Sequence, residues 1–147
     1  MLLLMLSIVA RCQNIDALYN EGKKLYDQKK YELAFKKLLP AAQKGHKKAQ
    51  YRVGRCYDKG HGVTEDNQKA FQWYTKAAAQ GHAKSQYQLG KCYMKGKGTA
   101  KDAAKAKSWL LKAVNNKNGG DKVLAKLKED AAGGDEDAKA MRKLIGK

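Results

Sequence analysis

The sequence predicts an all-α fold, an α/α solenoid of antiparallel helical hairpins, and three observations carry that prediction. Residues 45–80 (GHKKAQYRVGRCYDKGHGVTEDNQKAFQWYTKAAAQ) and 81–116 (GHAKSQYQLGKCYMKGKGTAKDAAKAKSWLLKAVNN) align without a gap and share 17 of 36 positions. A period between about 20 and 50 residues marks units that bury their apolar faces on one another. Within each block two apolar runs at helical spacing flank a glycine-rich break.

The chain begins MLLLMLSIVARCQ. This apolar run is too short to span a bilayer, which needs about 20 residues, but it suits a secretory signal peptide over residues 1–12, cut ahead of Gln13. Export to the periplasm, envelope or medium is therefore expected. Lipidation of Cys12 is the minority route, because Arg11 stands where a small residue is wanted. The alternative is a short helix that docks its leucines on the first repeat.

Residues 13–44 read as a shortened hairpin. Tyr19, Gly22, Ala34, Phe35, Ala41 and Ala42 match Tyr51, Gly54, Ala70, Phe71, Ala77 and Ala78, while Asp27-Gln28-Lys29-Lys30 replaces the glycine loop. Pro40 should bend the second helix or tighten its end. In the first full block, Ala49, Val53, Cys56 and Tyr57 form one stripe. Gly60 and Gly62 are expected at positive φ, and Ala70, Trp73, Ala77 and Ala78 form a second stripe. Gly54 and Gly90 lie inside helices, where glycine costs about 1 kcal/mol against alanine. They imply a close helix crossing, with Ala70 and Ala106 on its other side. Residues 117–147 read as two charged helices parted by Gly133-Gly134, a C-terminal cap. Three hairpins and a cap make one domain.

These residues resemble the Sel1-like repeat (SLR), a relative of the tetratricopeptide repeat (TPR). The first block follows the family pattern through Ala49, Val53, Gly54, Tyr57, Gly60, Gly62, Val63, Asp66, Ala70, Trp73, Tyr74, Ala77, Ala78 and Gly81. The second keeps Leu89, Gly90, Tyr93, Gly96, Gly98, Asp102, Ala106, Trp109 and Ala113, and departs at Ser85, Thr99, Leu110, Val114 and Lys117. The resemblance implies an adaptor surface that holds a peptide or a partner protein in a concave groove and rarely carries chemistry.

The residues themselves offer no catalytic constellation. His46 and His82 precede helices and shape turns. His61 sits in the glycine loop, where the equivalent residue is Lys97. Asp66 and Asp102 could pair as carboxylates, but each stands where an acid caps a helix. The glycines follow a helix rather than a strand, so they form no phosphate-binding fingerprint. Trp73 and Trp109 recur at helical spacing and are expected in the core rather than on a sugar platform. Cys56 and Cys92 occupy equivalent sites on stacked helices roughly 10 Å apart, too far for a disulfide, and read as small buried residues. No Cys/His spacing suits zinc. No enzyme, cofactor or metal is expected.

What remains is surface. The formal charge is +17, with 19 Lys and Arg against 7 acids in residues 1–100 and 12 against 7 beyond. Lys48, Tyr51, Arg55 and Lys59 lie on one helix stripe, and Lys84, Tyr87, Lys91 and Lys95 repeat it 36 residues later. In the resembled family this side faces the concave groove. The first hairpin offers Asp16, Tyr19, Lys23 and Asp27 there. Cations interleaved with tyrosines suit an acidic protein or peptide partner. The competing reading is a nonspecific binder of anionic polymer or membrane surface. Against nucleic acid stand the export-like N-terminus and the lack of a nucleic-acid module.

Overall fold

The structure, a computed structural model, describes residues 2–147, with the side chains of residues 6–13 outside that description. Met1 and the Cys12 thiol, and with it the disfavoured lipidation route, lie outside the described residues. Eight helices follow one another among the described residues, with no strand: α1 (Leu2–Asp27), α2 (Tyr31–Gln43), α3 (Lys47–Lys59), α4 (Asn67–Ala79), α5 (Ala83–Lys95), α6 (Ala103–Val114), α7 (Gly120–Ala132) and α8 (Glu136–Ile145). They form two compact units, residues 1–73 and 74–147, which divide within α4.

The core of the first unit is built from small residues and two branched ones, Ala34, Leu38, Ala41, Ala42, Ala49 and Val53, all at most 1% exposed. Alanine lets helices approach closely, and half-buried Tyr19, Leu25, Tyr26, Phe35 and Trp73 seal the margin. Gly22 shows why a β-carbon is excluded: it would stand 2.7 Å from Leu38 Cγ. The shortened α1–α2 hinge closes without glycine. Lys29 takes the left-handed conformation at φ 61°, and Lys30 N–H donates to Leu25 O at 2.9 Å. Pro40 lies in the last turn of α2, where its carbonyl accepts from Lys44 N–H. At the other end of the chain segment, Leu2, Leu3, Leu4 and Met5 are exposed by 63–83%, so these four do not dock on the first repeat. No helix of the described residues is long and apolar enough to cross a membrane.

The second unit buries Leu110, Ala113, Val114, Val123, Leu127, Ala131, Ala138, Met141 and Ile145 in one core. The pair α7–α8 supplies six of these, and a fully buried Leu contributes roughly 1.5–3 kcal/mol. Gly90 meets Leu110 Cγ at 2.7 Å through the β-carbon it lacks, while Ala106 offers only its carbonyl at 3.3 Å. The crossing partner is thus chiefly Leu110. Asn116 fastens the start of α5, donating from Nδ2 to Gly81 O and Gln86 Oε1, both at 2.9 Å.

The two full repeats use the same local devices. Gly60 and Gly96 end α3 and α5 at φ 65° and 70°, with N–H groups on Cys56 O and Cys92 O. Asp66 N–H and Asp102 N–H close the loops onto Tyr57 O and Tyr93 O. The Asp66 and Asp102 carboxylates accept from Lys69 N–H and Lys105 N–H at 2.9 Å, capping α4 and α6. Buried Gln50 and Gln86 reach back to the carbonyls of Ala42 and Ala78. Cys56 and Cys92 are buried and form no disulfide. Burial pushes the Cys56 thiol up to about 12.

The tryptophans depart from expectation. The buried slot belongs to the next residue, Tyr74 (1% exposed) and Leu110 (0%). Trp73 borders the first core. Trp109 is half-buried, with Lys112 Nζ 4.5 Å above its ring.

Candidate functional site

The histidines and acids are spent on structure. His46 caps α3: its Nδ1 accepts from Ala49 N–H at 3.1 Å, which leaves the proton on Nε2, 3.3 Å from Asp16 Oδ1. Tyr19 stacks on the ring at 4.4 Å. Burial holds the His46 pKa below its ordinary value, outweighing Asp16. His82 Nδ1 contacts Ser85 Oγ at 2.9 Å. His61 stacks on Tyr31 with centroids 4.0 Å apart and shares a 2.9 Å hydrogen bond with the Tyr26 hydroxyl. Its pKa is also lowered, first by burial and then by Arg55 and Lys59. Among the described residues no group of His, Cys, Asp and Glu could hold a metal.

On α3, in the first unit, Lys48 and Lys59 are exposed, and Tyr51 and Arg55 are half-buried. Arg55 Nη1 donates to the Tyr51 hydroxyl at 3.4 Å, so a cation and a ring act as one surface. Lys59 Nζ stands 3.7 Å from Asp58. The acids of α1 turn to other partners. Asp27 takes Lys23 Nζ at 2.9 Å and Arg52 Nη1 at 3.6 Å, and the Lys23 hydrogen bond holds its carboxyl below the usual range. Arg52 also lies over the Tyr26 ring, 5.2 Å from its centroid.

On α5, in the second unit, Lys84 and Lys95 are exposed, and Tyr87 and Lys91 are half-buried. The Tyr87 ring packs against the core, and Lys91 Nζ lies 5.7 Å from its centroid. Burial first, then the charges of Asp130, Asp135 and Asp137, push the Tyr87 phenol up to about 12. Lys95 pairs with Asp137. The Asp135 carboxyl is held low, first by the Ala138 N–H it caps and then by Lys91 and Lys95. Asp137 of α8 thus meets Lys95 of α5, Asp135 lies within the influence of Lys91 and Lys95, and Asp130 is engaged by Lys126 at 2.8 Å.

Sequence reasoning missed those carboxylates, although the acid-rich run from Glu129 to Asp137 was visible, because nothing in their spacing addressed them to α5. It also missed the cluster of Tyr26, Tyr31, Arg52 and His61, for Tyr26 and Tyr31 flank the one hinge that breaks the repeat. A cleft of about 410 Å³ in the first unit is lined by Tyr57, Val63, Thr64, Glu65, Asp66 and Lys69 and holds none of the eight expected binding residues.

Known proteins match these hairpins. The Sel1 repeat family matches residues 47–82 and 83–118. A solved Sel1 repeat protein from Oxalobacter formigenes is 34% identical, with a TM-score of 0.67 over 86% of this chain and 54% of its own. The solved c5321, described as a protective antigen present in uropathogenic Escherichia coli strains displaying an SLR fold, is 28% identical, with a TM-score of 0.69 over 92% of this chain and 30% of its own. This chain therefore spans about half of the first protein and under a third of the second. No curated protein matches.

Proposed function

Because this chain carries two Sel1 repeats, we propose that it is a non-catalytic scaffold holding an acidic segment of a protein partner on the basic, tyrosine-bearing faces of α3 and α5. Sel1 repeat proteins generally mediate protein–protein interaction, and the family is typically a non-catalytic scaffold. The observation that carries the acidic partner is the α3 face. Lys48 and Lys59 stand exposed there around an Arg55–Tyr51 pair. A guanidinium forks onto a carboxylate, lysines add long-range attraction, and the ring gives contact area at low entropic cost.

The apolar run at the N-terminus, with Leu2–Met5 exposed, supports export to the envelope or beyond as part of the same reading. N-terminal sequencing of the chain recovered from an expressing bacterium tests it, and a chain retained whole in the cytoplasm would refute export.

The binding test is a pulldown with the chain as bait, washed at physiological and at high salt. It runs beside a bait carrying Lys48, Arg55, Lys84 and Lys91 changed to glutamate. A discrete protein that survives high salt and is lost from the charge-reversed bait supports the scaffold. Heterogeneous material that leaves steeply with salt supports a polyanion binder instead. A discrete partner held equally by both baits moves the site off these faces.

A further inference from the structure

α1 is 26 residues long, twice the 13 of α2 beside it, and runs unbroken from Leu2 to Asp27. Its described packing into the first core begins at Ile15 and continues through Leu18, Tyr19, Leu25 and Tyr26. Ahead of these stands the run LLLMLSIVA, in which Ser7 is the one polar side chain. Leu2, Leu3, Leu4 and Met5 are exposed by 79, 83, 68 and 63%. Successive helical residues are set about 100° apart, so these four face nearly all round the helix. A helix apolar on every side suits a medium that is apolar on every side, not a groove in a partner. The turn between α2 and α3 lies at the root of this run. His46 Nε2 stands 3.3 Å from Asp16 Oδ1, and the His46 ring stacks on Tyr19 at 4.4 Å. That contact brings exposed Lys44, Lys47 and Lys48 to the start of the packed part of α1. From this juxtaposition we infer that the apolar tip and its basic collar anchor the chain to an anionic lipid surface. The inference is independent of the acidic-partner reading.

The tip and the collar divide the task. As a helix, residues 2–10 reach about 14 Å, half of the roughly 30 Å hydrocarbon core, so the tip enters one leaflet without crossing. One short apolar element holds a membrane reversibly, and a polybasic patch is the second signal that makes the hold stable. Lys44, Lys47 and Lys48 supply that patch, and Arg11 adds a charge at the end of the run. Residues 1–73 as a whole carry 14 Lys and Arg against 7 acids. The same cations oppose the pairing of tips from two copies, since their collars repel. The tip must also be kept. The cut expected ahead of Gln13 falls inside α1, with helical backbone on both sides, whereas proteases favour exposed loops. Export does not require the cut, and a chain exported whole stays held at the membrane it crossed.

The experiment floats the chain of residues 1–147 with vesicles of phosphatidylcholine alone, and of phosphatidylcholine with about 30% phosphatidylglycerol. Wild type should float with the anionic vesicles and bind the neutral ones about tenfold more weakly. Leu2→Asp/Leu3→Asp, which puts acids where a helix start favours them, should lose about tenfold or more on both. Lys44→Glu/Lys47→Glu should lose about tenfold on the anionic vesicles alone, and it leaves Lys48 to the α3 face. All four side chains are exposed, so circular dichroism should show both variants folded. The inference is overturned if wild type stays with the soluble fraction or if the aspartate variant floats as well as wild type. It is equally overturned if the chain recovered from an expressing bacterium begins at Gln13. Equal flotation of wild type on both vesicles would sink it too, because the collar then contributes nothing. If wild type sediments as an oligomer that the aspartate variant dissolves, and neither floats, the tip pairs copies and the inference falls. The pulldown above reads the α3 and α5 faces, so either reading can fail without the other.

Discussion

At the scale of single residues, two kinds of side chain are held in states they would not choose in water. His46 accepts a backbone N–H on Nδ1, so protonating that nitrogen must break the cap, and His61, stacked on Tyr31, is disfavoured as a cation by burial and by Arg55 and Lys59. Both have pKa values below the ordinary 6.5, which means the unfolded chain binds more protons in that window. Their contribution is complete above 6.5 and is lost as pH falls towards the folded values. Thermal melts from about pH 7.5 to about pH 5 should show Tm falling, and His46→Asn with His61→Lys should flatten that slope. Those substitutions keep a capping residue at 46 and place at 61 the residue found at 97. Asp27 and Asp135 do not confuse the window, because their depressed values matter only below the ordinary 3.8. Gly90 is constrained by volume. Gly90→Ala adds a carbon 2.7 Å from Leu110 Cγ, and about 1–3 kcal/mol of overpacking outweighs the roughly 1 kcal/mol of helix propensity it regains. Urea melts should show a net loss of up to about 2 kcal/mol. Gly133→Ala, whose β-carbon would meet nothing closer than 3.5 Å, should lie within about 0.5 kcal/mol of wild type.

At the scale of elements, each helix ends by a device written into a few residues. Asp102 caps α6, and Asp102→Ala should cost about 1 kcal/mol while Asp102→Asn costs little, read from denaturant midpoints. The α1–α2 hinge is the exception, since it puts a lysine where the longer loops put glycine. Relieving the left-handed Lys29 with Lys29→Gly should raise stability by about 0.5–1 kcal/mol. A loss of stability there would mean that the lysine side chain matters more than its backbone. The same Asp and Lys spacing recurs on α4 and α6: Lys69 and Lys105 sit over Tyr57 and Tyr93 at 5.4 and 5.5 Å. The repeat thus copies its surface contacts as well as its core.

At the scale of the molecule, the C-terminal hairpin is part of the core of the second unit. Leu127 and Met141 are at most 1% exposed. Leu127→Ala should therefore cost about 2–5 kcal/mol and lower hydrogen-exchange protection across α5–α8. A loss confined to α7 and α8 would show that the hairpin is a detachable cap. The expected charge of the binding faces is also decided at this scale. The sequence supplies cations in register on both repeats, and the folded chain meets the last cation of each with a carboxylate of its own, Asp58 at Lys59 and Asp137 at Lys95.

The sequence by itself determined the all-α repeat, the two glycine-closed hairpins and their aspartate caps. These follow from short-range rules: a 3.6-residue period, a positive φ that glycine tolerates, a carboxylate reaching an amide three residues on. It also brought Lys91 to Tyr87 and Arg55 to Tyr51, because residues one turn apart on a helix are neighbours. Only the tertiary structure decided that Leu110 rather than Ala106 fills the notch at Gly90, and that Tyr74 and Leu110 rather than the tryptophans take the buried slots. It alone decided that Asp137 of α8 pairs with Lys95 of α5. Each of those outcomes depends on which helices pack together and at what rotation, and packing is settled by volume and charge across the chain rather than by the order of residues along it.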